Sequence, residues 1–88
     1  MSEYLFGVAK GAHLNRMSDE TKARLDAIAA QHDAWRVGQV SIPGDGLKMW
    51  FATKNLGHPF DRATERAVKA DILADEDLVE ALGVDALW

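Results

Sequence analysis

Residues 34–56 read AWRVGQVSIPGDGLKMWFATKNL, two runs of strand-forming residues on either side of Pro43-Gly44-Asp45-Gly46. Glycine, proline and aspartate between such runs mark a tight turn, so the stretch predicts a β-hairpin. With Gly44 and Asp45 as a two-residue turn, Ile42 pairs with Leu47, Val40 with Met49 and Gly38 with Phe51. Ile42, Val40, Leu47, Met49 and Phe51 then share one face. Ser41, Gln39, Val37 and Trp35 share the other with Lys48, Trp50, Ala52 and Lys54. A three-residue loop would bring Lys48 among the apolar side chains, so the even-loop register is the one expected.

Outward from the hairpin, Tyr4, Phe6 and Val8 alternate with Leu5, Gly7 and Ala9, a period of two that predicts a first strand. Residues 11–17 have neither period and read as a loop. Ser18 followed by Asp19 and Glu20 is a helix start: a hydroxyl for the free amides, then acids where the helix dipole is positive. This first helix is expected from Asp19 to about Asp33, burying Thr21, Leu25, Ile28, Ala29 and His32, with Lys22, Arg24 and Asp26 solvated. After the hairpin, Pro59 in the first turn or Asp61 as a cap begins a second helix that reaches about Ala74. Its apolar side is Phe60, Ala63, Ala67, Val68, Ala70 and Ile72. A new cap at Asp75 opens a short third helix through Leu82, stopping at Gly83, with Val84, Leu87 and Trp88 folding back onto the body.

The order β-α-β-β-α-α in 88 residues predicts one α+β domain over residues 1–88. A crossover through the first helix makes strands one and two parallel, and the hairpin makes strand three antiparallel to both. The economical arrangement is a three-stranded antiparallel sheet with strand three central and the helices packed on one face; strand one beside strand two is the alternative. That leaves a face with Trp35, Gln39, Lys48, Trp50 and Lys54 open.

Composition narrows the function classes. The chain has no cysteine, hence no disulfide framework, no thiolate nucleophile and no cysteine zinc site, in keeping with a reducing, cytoplasmic setting. Met1-Ser2-Glu3-Tyr4 lacks the basic start and apolar run of a signal peptide, and no apolar run approaches the roughly 20 residues that span a bilayer. His13, His32 and His58 lie far apart without metal-ligand spacing, and Ser2, Ser18 and Ser41 have no nucleophile-elbow context. Gly44-Asp45-Gly46 sits in a hairpin rather than between strand and helix, so it is no phosphate loop. The expectation is a protein that is not an enzyme and needs no metal or small-molecule cofactor.

Charge supplies the positive signal. Residues 1–70 hold all ten basic residues against eight acids, whereas residues 71–88 hold Asp71, Asp75, Glu76, Asp77, Glu80 and Asp85 and no base. A helix whose acids complement its dipole accounts for part of this cluster structurally. Functionally, a ridge of carboxylates imitates nucleic-acid phosphates and draws a basic groove on another protein. Carboxylates give rate and orientation more than affinity, so Leu78, Leu87 or Trp88 would serve as an apolar anchor. A second candidate is the hairpin face, where Trp50 and Trp35 beside Lys48, Lys54 and Arg36 form either a platform for unpaired bases or a homodimer seam, as in an antitoxin-like accessory subunit. Arg62, Arg66 and Lys69 form a basic stripe that reads as a solvated face beside Asp61 and Glu65.

Short, cysteine-free and acidic, with its carboxylates gathered from Asp71 to Asp85, the chain resembles in general type the small phage or mobile-element inhibitors known as anti-CRISPR proteins. That resemblance implies binding to a CRISPR effector complex or nuclease so that target DNA is excluded.

Overall fold

The computed structural model describes residues 3–10, 17–44, 46–57 and 59–82. Their elements are β1 (Glu3–Lys10), α1 (Asp19–Gln31), β2 (Ala34–Ile42), β3 (Gly46–Lys54), α2 (Phe60–Leu73) and α3 (Glu76–Leu82). The expected loop at residues 11–16, the stop at Gly83 and the fold-back of Val84, Leu87 and Trp88 lie outside the described residues.

The strands form one antiparallel sheet in the order β1-β3-β2, with the helices on one face, as the crossover and hairpin rules require. The central strand is the most deeply buried: Met49, Phe51, Ala52 and Thr53 are all inside. From the helix side, Leu25 and Ala29 of α1, Val68 and Ile72 of α2, and Leu78 and Leu82 of α3 close over Phe6, Val8, Ala9, Met49 and Phe51. Phe6 stacks on Phe51 with ring centroids 5.9 Å apart, while Ala9 and Ala29 keep sheet and helix close.

Local chemistry explains the helix boundaries. Ser18 Oγ accepts the amide of Thr21 at 3.1 Å and starts α1. Asp33, in left-handed backbone (φ 57°), turns the chain from α1 into β2, and Thr53 donates its hydroxyl to the Asp33 carbonyl at 3.2 Å. Asp75 Oδ1 accepts the amides of Asp77 and Leu78 at 3.1 and 3.2 Å, capping α3. Asp61 behaves otherwise than a helix cap. Buried one residue inside α2, it accepts the amides of Leu56 and Gly57 at 2.9 and 3.2 Å and so ties the incoming loop to the helix. Phe60, expected on the apolar side, is exposed, as are Ala63 and Ala70.

The hairpin register corrects the even-loop expectation. Ile42 pairs with Gly46, Ser41 with Leu47, Val40 with Lys48 and Gln39 with Met49, so three residues connect the strands. Gly44, directly after Pro43, takes φ 90°, a backbone conformation that glycine supplies without strain. A bulge between Arg36 and Gly38 then restores the phase, so that Trp35 still faces away from the helices opposite Ala52. Between bulge and turn the sides are exchanged: Gln39 and Ser41 take the helix side and Val40 joins Val37 on the open one.

Candidate functional site

The acids of α2 and α3 are brought together by the tight junction between the two helices. Only Ala74 and Asp75 separate them, so the last turn of α2 and the first of α3 present their carboxylates side by side. Asp71, Asp75, Glu76 and Asp77 line one shallow, open groove of about 580 Å³, with Ile28 and Gln31 of α1 forming its opposite wall. Glu80 lies on α3 outside this groove, exposed, and Asp85 lies outside the described residues.

Each carboxylate has a different share of structural duty. Arg24, expected in solvent, reaches from α1 to Asp75 Oδ2 at 2.6 Å and Asp77 Oδ2 at 3.1 Å. The bond to Asp77, helped by the charge of Asp75 and offset in part by desolvation, holds the Arg24 guanidinium above its ordinary pKa. Asp75 thus caps α3 with one oxygen and binds Arg24 with the other. Asp71 Oδ2 lies 2.6 Å from His32 Nε2, at the end of α1. Glu76 and Asp77 remain the most displayed: Glu76 is exposed, and the Asp77 side chain keeps 78% of its surface in water despite Arg24. Among the described residues one arginine faces four lining carboxylates, which leaves the groove with an excess of negative charge.

The open face of the sheet carries Trp35, Lys48, Trp50 and Lys54, as the hairpin reading expects, but neither Gln39 nor Arg36. Gln39 pairs with buried Met49 across the exchanged register. Arg36 turns to the helix side, where its Nε and Nη2 donate to Asp26 at 2.7 and 3.2 Å. That bidentate bond, more than the nearby charge, raises the Arg36 pKa against the cost of burial, and it pairs Asp26, which stays about half exposed, with β2. Val37 stands on this face as expected, and Val40 joins it through the exchanged register; with Leu5 of β1 these residues, each about half exposed, and Trp50 line an almost wholly apolar hollow of about 270 Å³. Sequence reasoning placed Val40 on the other face and did not name Leu5 for this one; Gly38 inside a strand was the available sign of a bulge. Lys48 lies over the Trp50 ring, its Nζ 5.4 Å from the centroid, so the cation of this face covers its own aromatic platform.

Among the described residues, no three His, Asp or Glu side chains come together in a way that would hold a metal ion. No described helix is long and apolar enough to cross a membrane. His13 and His58 lie outside the described residues. Fold and site thus define a small α+β domain with an acidic groove on its helical side and an apolar, lysine-flanked sheet on the other. No family model, curated protein or solved structure matches the chain.

Proposed function

We propose that this protein acts by binding rather than catalysis, presenting the groove of Asp71, Asp75, Glu76 and Asp77 to the basic nucleic-acid-binding surface of another protein and excluding the nucleic acid. The observation that carries this reading is the convergence of four carboxylates on one groove, where among the described residues Arg24 binds Asp75 and Asp77 and His32 meets Asp71, while Glu76 stays exposed. Carboxylates gathered on one surface imitate phosphates in charge, and they speed encounter with a cationic groove before short-range contacts form. The concrete form is a phage inhibitor of the anti-CRISPR type, working in the cytoplasm on a CRISPR effector complex. Glu76 and Asp77 are the residues to test, because Asp75 also holds the fold. A plasmid-interference assay in cells carrying an active CRISPR system decides: the wild-type chain should restore transformation, and Glu76→Lys with Asp77→Lys should not. Equal protection by the double variant, at equal soluble protein, would end this reading.

A second reading has its own observation. The hollow of Leu5, Val37, Val40 and Trp50 supports a homodimer seam on the open sheet face. Light scattering up to millimolar concentration should then show a dimer that Val40→Lys dissociates, and a monomer throughout would remove it.

A further inference from the structure

Among the described residues the outer side of β1 is an edge, since the sheet runs β1-β3-β2. An edge strand offers a row of backbone amides and carbonyls to any extended chain that can lie beside it. A groove of about 330 Å³ follows this edge rather than either face. Its lining takes Tyr4 and Phe6 from the helix side of the sheet and Leu5 from the open side, and at Gly7, which has no side chain, Trp50 of the next strand reaches it. One wall is α2, which contributes Arg62, Glu65 and Arg66.

The charges of that wall are already sorted. Glu65 accepts the Tyr4 hydroxyl at 2.6 Å and the Lys69 ammonium at 2.7 Å, so it is engaged from two sides. Arg62 and Arg66 are exposed and make no ion pair within 4.0 Å with a described residue, although the charge of Arg62 reaches Glu65 and helps to lower its pKa. Four residues apart on a helix, they stand about 6 Å from each other, close to the roughly 6.6 Å between alternate residues of a strand. Two carboxylates on the same side of an added strand therefore meet two guanidiniums.

We propose that the β1 edge over Glu3–Gly7 docks an extended acidic peptide, which joins the sheet as a fourth strand while acids at alternate positions pair with Arg62 and Arg66. Backbone bonds supply affinity and the two arginines select sequence and register. The irregularity between Gly7 and Ala9 limits the docking run to five residues, about 17 Å. A second copy fits this edge poorly, because an antiparallel β1 pair would bring Arg62 and Arg66 of both copies to the same seam. This surface is separate from the acidic groove, so it stands or falls independently of the function proposed above.

The test is a titration followed by amide NMR, with an acetylated and amidated heptapeptide alternating glutamate and valine as probe. Saturable shifts at the amides of residues 3–7 and at the Trp50 indole are expected. Affinity should fall about tenfold or more for the peptide with lysine in place of glutamate, and equally for the folded Arg62→Glu, Arg66→Glu variant. A peptide N-methylated at alternate residues should not bind. Shifts centred instead on Trp35, Val37 and Val40, equal binding of the lysine peptide, or saturation of the edge by an oligothymidine but not by the peptide would each overturn the assignment.

Discussion

Val40→Lys distinguishes the two hairpin registers by stability alone. Val40 sits on the open face opposite Lys48, with 48% of its surface exposed. Half a valine's burial is worth about 1 kcal/mol or less, and a second lysine opposite Lys48 costs a few tenths more, so the variant should lose about 1 kcal/mol. For a domain of this size that is a fall in Tm of about 4–8 °C. Val40→Glu places an acid across from Lys48 instead and should be the more stable of the two variants by a few tenths of a kcal/mol. In an even-loop hairpin the same lysine would stand beside Met49 in the core, and an unpaired buried charge costs about 3–5 kcal/mol, a large part of a small domain's stability. Urea denaturation followed by circular dichroism and tryptophan fluorescence measures the difference, with Met49→Lys as the unfolded control. Loss of the folded state in Val40→Lys, or a glutamate variant less stable than the lysine one, would refute the register argument.

Other substitutions probe the remaining contacts. Asp61→Ala leaves the Leu56 amide without its acceptor and the Gly57 amide with only Asn55 Oδ1, at 3.3 Å, and should cost about 1–3 kcal/mol in the same denaturation assay. Burial pushes the Glu65 carboxyl up, but the bonds from Lys69 and Tyr4 outweigh it and hold its pKa below 4.5. Glu65 should therefore stabilise the fold fully above pH 4.5 and progressively less as the pH falls through its lowered value. Tyr4 is held above 10.0 by its bond to Glu65 and by desolvation, so its contribution is complete below pH 10 and lost as the pH rises through the raised value. Tyr4→Phe should remove the alkaline limb of a stability-pH profile and soften the acid one. Arg24→Gln removes the cation from the acidic groove, and retention on an immobilised polylysine column should increase, reaching higher salt before elution.

The order of elements and the central place of β3 were legible because they follow from connectivity rules that need only strand and helix positions. The caps at Ser18 and Asp75 were legible for a similar reason, since each acts on amides two or three residues away. The register was not, because Gly44 and Gly38 act together: the odd loop shifts the phase and the bulge corrects it, while alternation alone favoured keeping Val40 with Met49. Non-local pairs were hidden as well. Arg24 meets acids more than 50 residues on, Tyr4 meets Glu65 across 61, and local spacing held no trace of either. Arg36 was read by its neighbours Trp35 and Val37, though strand alternation alone puts it on the other side from both. The acidic cluster was visible as composition, but its division into fold-holding Asp75, His32-bound Asp71 and displayed Glu76 and Asp77 needed the packing of α1 against α2 and α3.

The acidic groove is tested most directly by competition, with a purified DNA-binding CRISPR effector complex, labelled target duplex and the protein titrated at 50 and 200 mM salt. The groove account predicts displacement of DNA that weakens at the higher salt and falls roughly tenfold or more with Glu76→Lys and Asp77→Lys, while Glu80→Lys, outside the groove, has a smaller effect. Displacement that ignores both salt and the double reversal, or no displacement at either salt, would contradict it.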